Sequence, residues 1–108
     1  MPNKLTNKIR LTEQELINIK DIFTTHFSTT DSLWVFGSRV QMNQKGGDID
    51  LYIETFEKDS NILVTKKIEF LSDLKIAIGD QKIDVIINNN QNKLPIYDIA
   101  KQNGIKLI

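Results

Sequence analysis

Trp34 to Ile53, WVFGSRVQMNQKGGDIDLYI, is the stretch whose reading decides the fold. An apolar run, Leu33 to Phe36, stops abruptly at Gly37-Ser38. A polar loop follows and closes on Gly46-Gly47, and a second strand-like run opens with Asp48-Ile49-Asp50. Side chains alternate across a strand, so Asp48 and Asp50 share one face while Ile49, Leu51 and Ile53 share the other. Two carboxylates side by side, opposite a glycine-serine turn, suit a metal-bound triphosphate.

Working outward, Leu33-Trp34-Val35-Phe36 carries no polar residue, as expected of a strand buried on both faces. Ser38 to Met42 is expected as a short helical turn, Asn43 to Gly47 as a loop, and Asp48 to Glu54 as the second strand. Lys82 to Asn88, KIDVIIN, reads as the third strand. Asp84 is its single acid, set among Ile83, Val85, Ile86 and Ile87. A lone carboxylate in a buried strand is costly unless it is paired or binds a metal. If the third strand neighbours the second, Asp84 joins Asp48 and Asp50.

Three carboxylates so close repel one another, and without a cation at least one should keep its proton. Mg2+ takes oxygen ligands and is commonly held by one or two carboxylates plus substrate phosphates. Two such ions about 3.5–4 Å apart would steady both the attacking and the leaving oxygen. Glycine at 37 lets the backbone approach a phosphate. The N–H groups of a helical turn starting at Ser38, and its hydroxyl, are further donors. Arg39 and Lys45 are nearby cations, each a phosphate contact or a solvated surface charge. A Gly-Ser turn or a D-x-D strand alone is a weak signal, whereas the two together with a later embedded Asp are far more specific.

The flanking segments read as helices. Thr12 and Glu15 form a capping box, with Leu11 and Leu16 placed as a hydrophobic staple. Leu16, Ile19, Phe23 and Phe27 recur at helical spacing, so this helix runs to about His26. His26, the only histidine, is expected to have a surface or helix-end role. Asp59-Ser60-Asn61 offers caps for a long helix with Val64, Ile68, Leu71 and Ile78 in one stripe and Leu74 beside it, ended by Gly79-Asp80. Pro95 suits a helix first turn and Gly104 the position just past its end. Ile96, Ile99 and Ala100 are expected to face inward, and Ile105 to Ile108 to form a last short strand. Residues 1 to 10 look like a loose leader. The order helix, strand, strand, helix, strand, helix gives an α/β (α+β) fold, a small mixed sheet with helices packed against it.

Composition sets the bounds. At 108 residues with no internal repeat, residues 1–108 read as one domain. Fourteen basic and fourteen acidic residues cancel, which argues against a dedicated nucleic-acid binder and its basic footprint. The absence of cysteine excludes disulfides, thiolate zinc sites and cysteine nucleophiles. The polar start MPNKLTNKIR does not resemble a signal peptide, no apolar run approaches the ~20 residues of a membrane span, and a cytoplasmic location is expected.

FGSRV, GDIDLYI and KIDVI together resemble the minimal nucleotidyltransferases of the DNA polymerase β superfamily. Their signature is Gly-Ser, about ten further residues, then D-x-D on a strand. The resemblance runs from the leading helix to the closing helix and the short IKLI strand. Three departures stand out. Nine residues, Arg39 to Gly47, separate Ser38 from Asp48, so the loop is one short. Gly47 replaces the serine common before the first Asp, and Gln41-Met42 stands where many members have small residues or a glycine.

The resemblance implies a Mg2+-dependent protein adenylyltransferase that moves AMP from ATP to a hydroxyl and releases pyrophosphate. It implies an antitoxin paired with a HEPN-domain toxin, a tyrosine of which is the acceptor. By it, Asp48, Asp50 and Asp84 are the metal ligands and catalytic acids, with two ions expected. Gly37, Ser38 and Arg39 bind phosphate, with Asp84 helping to deprotonate the acceptor. No membrane or nucleic-acid partner is expected, and homo- or hetero-oligomers are both open. The short chain leaves little room for an acceptor pocket, which favours a protein acceptor. The alternatives are an antitoxin that neutralises its partner by binding alone, and an enzyme acting on a small-molecule hydroxyl such as an aminoglycoside.

Overall fold

A computed structural model describes residues 8–108. The elements are α1 (Glu13–His26), β1 (Ser32–Phe36), a 3-10 turn (Gly37–Val40), β2 (Ile49–Glu54), α2 (Ser60–Ile78), β3 (Ile83–Asn88), α3 (Pro95–Asn103) and β4 (Ile105–Lys106). The strands form one mixed sheet in the order β3-β2-β1-β4. β1 pairs antiparallel with both β2 and β4, while β2 and β3 run parallel, joined by the α2 crossover. The expected small mixed sheet with packed helices is what the chain forms.

Local signals set the helix ends. The Thr12 hydroxyl accepts from Glu15 N–H at 3.0 Å and the Glu15 carboxylate accepts from Thr12 N–H at 2.8 Å, completing the capping box. The Asp59 side chain accepts from Asn61 N–H at 2.9 Å and caps α2. Gly79 ends α2 at φ 86°, a backbone conformation suited to glycine.

The alternation of side chains divides the sheet into two faces. Leu33, Val35, Ile49, Leu51, Ile53, Ile83 and Val85 point to the face covered by α1 and α2 and form the main core with Leu16, Ile19, Phe23, Phe70 and Leu74. Phe23 stacks on Phe27 at 5.0 Å, and Phe70 meets both edge-on. A fully buried Leu or Phe of this kind contributes about 1.5–3 kcal/mol. On the other face, α3 covers Trp34, Phe36 and Tyr52 with Ala100.

Four expectations need correction. Val64 and Ile68 are 57% and 60% exposed, and the buried face of α2 is Leu63, Phe70 and Leu74. This helix is apolar on nearly every side, so periodicity cannot select which stripe packs inward. Ile99 is 48% exposed because α3 meets the sheet through Ile96, Tyr97 and Ala100. The leader is not loose throughout, since Ile9 is buried in the main core and Arg10 bonds to the 3-10 turn; residues 1–7 lie outside the described residues. Asp84 does not stand in a strand buried on both faces: β3 is an edge strand and Asp84 is exposed. Among the described residues, no helix is long and apolar enough to cross a membrane.

Candidate active site

Register brings the acids together. Asp50 and Asp84 are directly paired on parallel β2 and β3, with backbones about 4.8 Å apart. Asp48 immediately precedes β2 and has the same parity as Asp50. All three therefore meet at one end of the sheet, on the face that carries Tyr52 and α3. Asp50 is half-buried, and its carboxyl is pushed above its ordinary value, first by burial and then by the charges of Asp84 and Asp48. Lys82 opposes that shift and lies 3.5 Å from the Asp48 carboxylate.

The glycine-serine turn abuts this cluster. Phe36 pairs with Asp50, so the chain leaves β1 beside the acids and enters the 3-10 turn at Gly37. The φ of Gly37 is 75°, and a Cβ there would collide with Asp50 Oδ2. The left-handed backbone favours glycine here, and any larger residue would also push the Asp50 carboxylate aside. Ser38 Oγ donates to the Asp48 carbonyl at 3.3 Å, closing the loop across its base. Gly47 has φ 93°, and a Cβ there would collide with Ser38 Oγ. Glycine rather than serine at 47 thus fits the left-handed backbone and the close approach of the Ser38 side chain.

The predicted phosphate contact at Arg39 meets a different geometry. Its guanidinium donates to the carbonyl of Gly47 at 3.2 Å, to the carbonyl of Arg10 at 2.8 Å and to Gln81 Oε1 at 3.0 Å. Arg10 reciprocates, donating to the carbonyls of Ser38 at 2.6 Å and Gln41 at 2.8 Å. Its N–H also donates to the Arg39 carbonyl at 2.7 Å. Gln81 continues the chain to Glu15 on α1. These contacts fasten the loop from behind, and Lys45 stays exposed at its tip.

Sequence reading missed Lys82, Arg10 and Gln81. Lys82 was legible, since it stands two residues before Asp84 and strand alternation puts both on one face. Arg10 and Gln81 left no local signal, because their partners are 28 and 42 residues away. His26 lies away from the acids and ties α1 to α2 through Asp73 at 2.6 Å and Glu69 at 3.7 Å.

Among the described residues, no three His, Cys, Asp or Glu side chains converge into a ready-made metal cage. The donors still fit Mg2+ in kind. They are hard carboxylate oxygens on an open face, and this ion takes one or two carboxylates and leaves positions for water and phosphate. Burial first, and then the neighbouring charges of Asp84 and Asp48, raise the pKa of Asp50, and a bound cation would offset both.

No curated protein matches the chain. The family model described as "Polymerase beta, Nucleotidyltransferase" matches residues 17–108, which takes in the glycine-serine turn and all three acids. The chain belongs to that nucleotidyltransferase family.

Proposed function

We propose that this chain is an antitoxin that transfers AMP from ATP to a tyrosine hydroxyl of a cognate HEPN toxin and releases pyrophosphate. The observation that carries nucleotidyl transfer is the pairing of Asp50 with Asp84 beside Asp48, against the Gly37 turn. The step from general transfer to a protein acceptor rests on the resemblance of FGSRV, GDIDLYI and KIDVI to the minimal nucleotidyltransferases, and the balanced charge of the sequence agrees with it.

In this reading Asp48 and Asp50 would hold the Mg2+ of the triphosphate, and Asp84 would hold a second ion. The ions, when bound, neutralise the triphosphate and lower the pKa of the attacking hydroxyl. The backbone of Gly37 and Ser38 faces the β and γ phosphates, and Gly37 leaves room for Asp50 to turn toward them. Asp84, exposed on the edge strand, meets the acceptor first and takes its proton. A tyrosine hydroxyl ionises near pH 10, so it needs such help at neutral pH. The new bond joins the tyrosine oxygen to the α-phosphorus, and the bond from that phosphorus to the β-phosphate bridge breaks. Rate comes from positioning and charge neutralisation. Arg39 and Arg10 shape the loop that carries the turn.

The test is the mass of the partner after incubation with this protein, ATP and Mg2+. One AMP-sized gain on a tyrosine, absent with Asp48→Ala, supports transfer. Full neutralisation of the partner by a double Asp48→Ala, Asp50→Ala variant, with no mass gain, would replace it by inhibition through binding alone.

A further inference from the structure

A concavity lies on the same sheet face as the acids. It holds about 470 Å³ between the outer end of β3, the segment after it and α3. Tyr52, Asn88, Asn92, Leu94, Tyr97 and Lys101 are among the residues that line it. Its relation to the acids follows from strand parity. Asp50, Tyr52 and Glu54 succeed one another along β2, as Asp84, Ile86 and Asn88 do along β3. At about 3.3 Å per residue, the lining residues Tyr52 and Glu54 follow Asp50 along β2 at ~7 Å and ~13 Å. Ile86, paired with Tyr52 at the near end of the cleft, is only partly covered.

We propose that this cleft receives the ribose and base of the nucleotide whose triphosphate sits at Asp48, Asp50 and Asp84. The inference rests on the nucleotide reading above and names where the rest of that substrate goes.

The lining has the chemistry of a flat, uncharged ligand with hydrogen-bonding edges. Glu54 is matched by Lys101 at 3.1 Å, and Asp98 and Lys93 on the rim offset each other, so no net charge calls for a phosphate or a cation. The rest is amide, aromatic and aliphatic. Leu94, just before α3, is 49% exposed at the lip, and Tyr97 is half-buried beside Tyr52 with ring centroids 5.7 Å apart. Exposed apolar and aromatic surface beside amide groups is how pockets hold bases, by stacking and by edge hydrogen bonds.

The wall is also built in advance. Tyr52, wholly buried, donates its hydroxyl to Glu54 at 2.7 Å and accepts from the Asn88 amide at 3.0 Å. Asn88 Oδ1 accepts from Asn90 N–H at 2.9 Å, and the Asn90 side chain donates to the Thr55 carbonyl at 3.3 Å. Asn90 has φ 65°, a left-handed conformation that asparagine tolerates and that turns the segment back over β3. These bonds fix the floor and leave Gln91, Asn92 and Leu94 exposed at the rim.

The experiment is amide chemical-shift mapping on the intact protein with three probes, adenosine, inorganic tripolyphosphate with Mg2+, and ATP with Mg2+. Adenosine should move resonances of residues 88–98 and leave Gly37 and Ser38 unmoved, and tripolyphosphate should do the reverse. Leu94→Asp changes an exposed residue, so the fold survives it. It should weaken ATP by about tenfold or more while leaving tripolyphosphate within about twofold. Adenosine shifts elsewhere or nowhere, or a Leu94→Asp variant that binds ATP unchanged, would overturn the proposal. If tripolyphosphate leaves Gly37 and Ser38 unmoved while adenosine still maps to the cleft, the triphosphate reading fails and the nucleoside pocket stands.

Discussion

Gly37 lies against the carboxylate of Asp50, so closely that a Cβ at position 37 would collide with Oδ2. The relationship joins the two halves of the sequence signature into one piece of geometry. The glycine makes a left-handed turn and clears the space in which the central carboxylate sits.

Gly37→Ala should therefore cost stability and activity together. The strained φ alone is worth about 1–3 kcal/mol, and displacement of Asp50 adds to it. Chemical denaturation should show the loss. Nucleotidyl transfer should fall further than stability explains, because the acid moves from its place opposite Asp84.

Position 47 gives the complementary case. Restoring the usual serine by Gly47→Ser should strain a residue at φ 93° and push Ser38 Oγ away from the Asp48 carbonyl. Loss of about 1–3 kcal/mol is expected. Insertion of one residue between Asn43 and Gly46 in the same variant should recover part of it, since the longer loop gives the side chain room. Urea midpoints of the three proteins check this.

Arg10 and Arg39 should behave as one unit. Each donates to the carbonyl groups of the other's segment, so removal of either frees the same loop. Arg10→Ala and Arg39→Ala, singly and together, should show a coupling energy of about 0.5–3 kcal/mol in a double-mutant cycle. Arg39→Lys should not restore it, because an ammonium cannot reach three divergent acceptors.

The pH dependence of the metal-free protein follows from Asp50. Its folded-state pKa lies above the ordinary 3.8, so the protonated acid favours the fold. That contribution is complete below about pH 4 and is lost as pH rises through the folded-state value. Asp50→Asn should flatten this part of the stability profile, and Mg2+ should stabilise the natural protein above that range and the variant much less. Denaturation at about pH 4 and about pH 7, with and without Mg2+, reads both effects.

Much of this is legible in the amino-acid sequence. The capping box at Thr12, the Asp59 cap and the glycine ends of α2 and α3 are short-range signals, and each falls where expected. The acids were legible for a different reason, because parity and an acid embedded in an apolar run survive without knowledge of the sheet. What could not be read was long-range. Strand order makes β3 an edge, and this exposes Asp84 rather than burying it. The face of α2 is chosen by Phe70 meeting Phe23 and Phe27, and Val64 and Ile68 stay exposed. The role of Arg39 depended on partners at Arg10 and Gln81 that no local pattern marks.

The most direct measurement of the central claim is transfer of label from α-phosphate-labelled ATP to the partner protein, with and without Mg2+. Mg2+-dependent labelling by the natural protein is expected, with a fall of about a hundredfold or more in Asp84→Asn, which loses the group that takes the acceptor proton. Labelling that persists undiminished in Asp84→Asn and in the Asp48→Ala, Asp50→Ala double variant would contradict it.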